Sequence, residues 1–416
     1  MAANGIDNWK PQKLEEVCAQ ITDGKHGDCQ DQPDSGYYFL SCKDVANGKL
    51  NYEGARQITE ADFHDTHRRT KFAPADVLIT NSGTIGRMAI APDIELTRRT
   101  TFQKSVAILK PIASRVESNF LYYALQADIR RLIEYAGGTA QKNLLLRDLR
   151  AFEVNVPPLP IQRRIAGILS AYDELIENSQ RRIKILESMA RALYREWFVH
   201  FRFPGHEHHP RVPSPLGEIP KGWEVKKLGD LCELRKDTYK DSDHSGLPLL
   251  DMARMPSRTL APSDTGSPSE LTTSRILFQK GDTLFGAIRC YLHKVVAAHY
   301  PGVTNTSVLV LRSRSPSFRS LVAIVASDID TIRWAETQST GTKMPVINWG
   351  VFQGMPAPIP SKTLAQAFED IAGPMLDEIG SLAPQVQNLR RTRDLLLPRL
   401  LSGQVELRPN GAMNTP

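Results

Sequence analysis

The same ordered set of residues occurs twice in this chain, about 200 positions apart. Trp9-x4-Leu14-x2-Val17-Cys18 returns as Trp223-x4-Leu228-x2-Leu231-Cys232, and Phe72-x3-Asp76-x-Leu78 returns as Phe278-x3-Asp282-x-Leu284. Ser105 to Leu109 then matches Ser307 to Leu311, Gly138-Thr139 matches Gly341-Thr342, and Pro158-Leu159-Pro160 matches Pro358-Ile359-Pro360. One such match could be chance, but five in one order, with the offset drifting only from 214 to 200, indicate a duplication. A period this long implies two whole domains rather than a solenoid.

Each copy has a mixed segment followed by a helical one. Short β-branched and apolar runs, such as Asp76 to Thr80 and Ser105 to Leu109, read as strands of an α+β domain. After the first P-x-P, apolar residues fall at Ile161, Ile165, Ile168, Tyr172, Leu175, Ile183, Leu186, Ala190, Leu193 and Trp197, which is a heptad seam. The second copy gives Leu364, Phe368, Ile371, Met375, Ile379, Leu382, Val386, Leu389, Leu396 and Leu400. Two amphipathic helices with one stripe each are expected to pair as an antiparallel coiled coil. Pro374 and Pro384 remove helix hydrogen bonds, so kinks or a short break are expected there. Residues 204–222, with five prolines and three glycines, read as a linker whose three histidines sit in water rather than on a metal. The expected organisation is 1–158, a first domain; 159–203, a first long helix; 204–222, the linker; 223–360, a second domain; 361–403, a second long helix; and 404–416, a frayed tail.

The five cysteines are scattered and never spaced C-x-x-C, which argues for reduced thiols and against a disulfide framework or zinc ribbon. There is no stretch of about 18 apolar residues and no signal-peptide pattern, so a cytoplasmic protein away from membranes is expected. Phosphate-loop, zinc-protease and nucleophile-elbow motifs are missing, as is the N/D-P-P-[YF] tetrapeptide of amino-methyltransferases. The chain reads as non-catalytic, with no cofactor or metal of its own. Ser82 to Arg87 is glycine-spaced but reads as a turn between strands.

The formal net charge of +6 points to an acidic partner, yet residues 1–158 hold 20 basic and 20 acidic side chains, so contacts must come from local clusters. Candidates in the first copy are Arg68, Arg69, Lys71, Arg87, Arg98, Arg99, Gln103 and Lys104. In the second they are Arg289, Tyr291, His293, Lys294 and Asn305. Arg pairs bidentately with guanine, Asn or Gln pairs with adenine, and Lys neutralises phosphate. Trp9 and Trp223 read as core residues.

Gly217 to Trp223 opens the second copy, Gly138 to Leu144 and Thr340 to Pro345 close the globular parts, Pro157 to Pro160 precedes the first helix and Trp197-Phe198-Val199 ends it. This combination, over nearly the whole chain, resembles the specificity subunit of type I restriction-modification systems. The resemblance implies two homologous mixed α/β target-recognition domains related by a pseudo-twofold repeat and held apart by the two helices. Each domain would read half of a split double-stranded DNA target. The helices would bind two methyltransferase subunits carrying S-adenosylmethionine, with restriction (translocase/nuclease) subunits as further partners. Ile161 before Gln162, where the family commonly has Glu, and His200, where an acidic residue is frequent, depart from the family pattern.

If the helices act as the ruler, four residues inserted between Ser179 and Ile183, with a matching insertion in the second helix, add about 6 Å. This is close to two base-pair rises. Modified-base sequencing should then find a longer unread gap between two unchanged half-motifs; a stable, active complex that keeps the original gap would show that the helices do not set it.

Overall fold

The computed structural model describes residues 9–136, 143–215, 217–240, 246–262, 264–405 and 407. They fall into two compact units, Met1–Asp173 with Arg391–Pro416, and Glu174–Arg390. Each unit is α+β, and each contains one end of both long helices.

The duplication is visible strand by strand. Unit 1 has a four-stranded antiparallel sheet in the order Cys18–Asp23, Val106–Pro111, Val77–Thr80, Met88–Ile90. Unit 2 repeats it as Cys232–Arg235, Val308–Ser313, Thr283–Gly286, Val295–Ala297. Even the register is kept: Leu78 faces Ile108, and Leu284 faces Val310. The strand Val77–Thr80 is buried throughout, as its unbroken apolar run suggests. Because side chains alternate across a strand, Val77 and Ile79 enter one core while Leu78 enters another.

The repeated aspartates head these central strands. Asp76 accepts from the backbone N–H of Ala73 (2.9 Å) and pairs with Lys110 (2.6 Å). Asp282 accepts from Gln279 N–H (2.7 Å) and from two guanidinium nitrogens of Arg312 (both 2.7 Å). Removing the cation would strand a buried carboxylate, at a cost of about 3–5 kcal/mol.

The first long helix is Leu159–Tyr194, continued by a π turn at Arg195–Val199; the second is Lys362–Leu401. Of the kinks or short break expected at Pro374 and Pro384, no break occurs, and the second helix runs through both. Both prolines are exposed.

The seam also differs from the apolar pattern. On the first helix, every seventh residue at Gln162, Leu169, Ile176, Ile183, Ala190 and Trp197 is buried; on the second, Ala365, Ala372, Ile379, Val386 and Leu400 are buried and Arg393 is half-buried. Ile165, Phe368, Leu382 and Val386 are core as expected, while Ile168, Tyr172, Leu186, Leu193, Leu389 and Leu396 flank it half-buried. Leu175 and Ile371 lie outside the seam, 54% and 42% exposed. The seam runs beside the apolar stripe because it includes polar residues that find partners. Within unit 1, Arg393 pairs with Asp173, which also accepts from the Tyr123 hydroxyl (2.6 Å). Burial and this carboxylate push the Tyr123 hydroxyl pKa upward. Within unit 2, the Arg182–Glu378 pair and the Trp197–Phe368 ring contact (6.0 Å) establish antiparallel packing.

Side chains from both helices also hold the globular parts. Gln162 accepts from Glu117 N–H (2.8 Å) and donates to the carbonyls of Arg115 (3.0 Å) and Pro157 (2.7 Å). In unit 2, Glu187 accepts from Leu260 N–H (2.7 Å), and Glu369 accepts from Ser320 N–H (2.8 Å). Arg319 bonds both Glu369 (2.9 Å) and Asp377 (2.8 Å). Gly380 leaves room for an imidazole: a Cβ there would lie 2.1 Å from Cγ of His299.

The Pro-rich segment folds as a ribbon, with Arg211–Ser214 paired to Gly217–Pro220. It adjoins Trp223, which packs among Phe198, Phe201 and Phe203 at 5.3–5.7 Å. His206 and His209 bond the carbonyls of Phe203 and Lys221. Trp9 packs half-buried against the unit 1 core. All five cysteines are free, and Cys42 alone among them is not buried. No helix among the described residues is long and apolar enough to cross a membrane.

Burial lowers the His299 pKa from 6.5 to about 4, against an attraction from Asp377 and with Arg319 and Lys280 adding to the lowering. Above pH 6.5 the ring is neutral whether the chain is folded or not; below it the unfolded chain takes up the proton first, so stability falls as pH drops toward 4, by about 3 kcal/mol at most. Four of the five tryptophans lie in unit 2 and report its unfolding. Urea titrations at pH 7 and 4.5 should show a smaller acid loss for His299→Leu than for the parent chain; equal losses would refute this assignment.

Candidate nucleic-acid interface

The ion pair marks one end of each central strand and a loop leaves the other. In unit 1 the loop is Asn81–Gly86, and its base is stapled by Asn81 N–H to the Ser105 carbonyl (3.0 Å) and Leu144 N–H to the Asn81 carbonyl (2.9 Å). Unit 2 repeats both bonds: Ala287 N–H donates to Ser307 (2.9 Å), and Ile347 N–H donates to Ala287 (3.0 Å). Even the cation closing the loop is matched. Arg87 donates to the Cys42 carbonyl (3.4 Å), and Lys294 donates to the Met252 carbonyl (2.7 Å). Three chain segments therefore meet at the same sheet end in each unit.

This geometry sorts the candidate residues. Arg68 pairs with Asp65 (2.6 Å), Arg98 with Asp93 (2.5 Å) and Arg99 with Glu95 (2.9 Å). Arg69 is held by Asp23 (3.2 Å), Thr22 (3.1 Å) and the Gly24 carbonyl. Lys71 ends the helix Glu60–Thr70 in a left-handed conformation (φ 45°), and its carbonyl accepts from Lys110, which puts it at the ion-pair end. Arg87, Gln103 and Lys104 come together at the loop end. Lys104 is exposed, with no side-chain hydrogen bond or ion pair among the described residues, and Lys43, which the sequence reading missed, joins it through the bond from Cys42 N–H to Ser105 Oγ (3.1 Å). Gly138 to Lys142 lies outside the described residues.

In unit 2, Arg289 is half-buried beside Lys343, and Tyr291 is 48% exposed. Asn305 is half-buried and accepts from Ser307 N–H (3.1 Å), shaping the turn into the next strand. His293 is a correction. It is 7% exposed, its Nε2–H donates to the Ser327 carbonyl (2.8 Å), and burial lowers its pKa, so it anchors the loop from inside. The missed residues Lys343 and Met344 stand on a hairpin loop closed by reciprocal Thr340–Val346 backbone bonds (3.0 and 2.9 Å), with Gly341 at φ 103°. Aligning the two copies was the signal for them, because Gly341-Thr342 was already a repeat match.

Together, the duplicated sheet and its loop end define a two-copy α+β architecture with one candidate site per copy. Residues 6–188 match the family model of the type I restriction modification DNA specificity domain. The chain is 26% identical over 391 residues to the type I restriction enzyme MjaIX specificity subunit of Methanocaldococcus jannaschii, covering 89% of this chain and 87% of that one. It is 22% identical over 377 residues to the EcoDI specificity subunit of Escherichia coli, covering 85% and 78%. The crystal structure of a type I restriction-modification S subunit from M. genitalium superposes with a TM-score of 0.63 at 17% identity, over 96% of this chain and 98% of that one. Over most of its length this chain is thus similar to specificity subunits of type I restriction-modification systems, and its residues 6–188 match that family's specificity domain.

Salt dependence distinguishes the free cation from the paired ones. Lys104→Ala should weaken duplex binding and lower the log–log salt slope by about one, because one phosphate contact is lost. Arg68→Ala and Arg98→Ala, whose charges are already paired, should leave the slope unchanged. Fluorescence anisotropy from 50 to 300 mM salt measures all three; an unchanged slope for Lys104→Ala would remove it from the interface.

Proposed function

We propose that this chain is the non-catalytic DNA-reading subunit of a cytoplasmic methyltransferase complex, and that each unit binds one half of a bipartite double-stranded target at its loop end. The observation carrying this reading is that basic side chains outside any ion pair among the described residues collect at the same sheet end in both copies, Lys43, Arg87 and Lys104 exposed in unit 1 and Lys343 exposed beside half-buried Arg289 and Lys294 in unit 2, while cations elsewhere, such as Arg68, Arg98 and Arg312, are held in ion pairs. The framework beneath is the same in the two copies and the loop residues differ, as two readers of different base sequences require.

The helices supply the second part of the proposal. In unit 2, Leu175, Ile185 and Met189 leave apolar surface along the first helix, 54%, 51% and 49% exposed. Such a surface suits a protein partner. The partners we infer are two methyltransferase subunits that carry S-adenosylmethionine and the active site, with restriction subunits joining through them. An assembly that only methylates, without a nuclease, would use the same surfaces. A self-sufficient DNA methyltransferase and a protein-only scaffold are the rival classes. Methyl transfer or stoichiometric cofactor binding by the chain alone would favour the first, and absence of salt-dependent duplex binding would favour the second.

Replacing residues 1–158 with the matching domain of a relative should change one half of the methylated motif and leave the other intact. Modified-base sequencing of cells expressing the hybrid reads this directly. A hybrid that alters both halves, or neither, would overturn the one-unit, one-half assignment.

A further inference from the structure

The equivalent loops of the two units differ sharply in chemistry. Unit 1 carries Asn81-Ser82-Gly83-Thr84-Ile85-Gly86, with Gly83 and Gly86 at φ 75° and 90°, and has no aromatic side chain. Unit 2 carries Ala287 to His293, where Cys290–Leu292 forms a single 3-10 turn. Tyr291 and Leu292 on that turn are 48% and 37% exposed, and Met344 and Val346 on the adjoining hairpin loop are 52% and 37% exposed. Four sizeable apolar side chains thus stand in water at the sheet end where the loops meet, beside Arg289, Lys294 and Lys343.

The backbone beneath them is tightly specified. Arg289 and His293, on either side of the turn, both occupy the left-handed region, at φ 51° and 52°. Residues with a Cβ hold that conformation at a cost and persist there when their surroundings fix them. Those surroundings are on hand. Arg289 N–H donates to the Pro345 carbonyl (2.8 Å), Leu292 N–H to Arg289 (2.8 Å) and His293 N–H to Cys290 (2.8 Å), while the His293 ring is tied to Ser327. Cys290 is buried between the exposed residues and the core. The turn is therefore presented in one conformation, which lowers the ordering cost of a contact made by its tip.

We propose that Tyr291 and Leu292 are base-contacting residues of unit 2: a rigid apolar tip, ringed by cations that hold phosphates, that packs on a base of its half-site and makes that half specific. This inference rests on the DNA-reading function proposed above. The charge around the tip argues for a nucleic acid over an acidic protein, because apolar contact with base faces and thymine methyl groups is how such a tip adds specificity to phosphate binding. Unit 1 lacks the tip and reads its half by polar contacts.

The test uses the full chain assembled with its methyltransferase subunits and a duplex carrying the motif found by modified-base sequencing. Both side chains are exposed, and a thermal melt of each variant confirms the fold. Tyr291→Ala combined with Leu292→Ala should weaken cognate binding on the order of tenfold and relax the motif in the unit 2 half alone, with the salt slope unchanged. Tyr291→Phe should restore most of the lost binding. Deoxyuridine in place of thymidine in that half separates two sources of the contact: a loss that matches the double variant assigns it to the thymine methyl, and no loss assigns it to the base face. A folded double variant that methylates the parent motif with parent affinity overturns the proposal. If instead the parent assembly binds no duplex in a salt-dependent way, the DNA-reading function itself falls.

Discussion

A carboxylate buried at the head of a central strand, met by one cation from the neighbouring strand, is the constraint around which each unit is arranged. Asp282 is 1% exposed, and among the described residues Arg312 and the turn N–H of Gln279 meet its charge. Once that pair forms, the register of the two strands is set, since a shift of one residue would carry the cation to the opposite face. The register in turn fixes where the strand ends and which loop emerges there. Asp76 and Lys110 do the same in unit 1 with a different cation, so the geometry survives a change of side chain.

Much of this was legible in the sequence because the duplication supplies its own comparison. The matches Asp76 with Asp282 and Ser105 with Ser307 turned out to be a strand-heading ion pair and a loop staple, both needing particular residues at particular backbone positions. The mixed domains and the paired helices were legible for a similar reason, since burial leaves a periodic trace. The seam was displaced because an apolar pattern cannot register Gln162, Asp173, Glu187 or Arg393, whose place near the core depends on partners far away in the chain. The same blindness affected the candidate interface. His293 and Lys104 are both basic residues beside strands, and only folding turns one inward to Ser327 and leaves the other in water.

The two units also divide framework from loop tips along a physical line. Residues that make backbone geometry are matched between copies, while residues at the loop tips are not. Gly83 and Gly86 give unit 1 a loop whose positive φ angles carry little cost, whereas Arg289 and His293 impose the same kind of conformation on side chains that resist it. The second solution needs more support, and the bonds to Pro345, Cys290 and Ser327 supply it.

Gln162 attaches the first long helix to its domain through three backbone groups, the N–H of Glu117 and the carbonyls of Arg115 and Pro157. Glu187 and Glu369 likewise take backbone N–H groups, of Leu260 and Ser320. A helix that grips main chain is largely indifferent to the side chains of the domain it holds. A domain with other side chains but the same main chain at these points would thus fit the same helix, which leaves its loops free to vary while the joint stays constant.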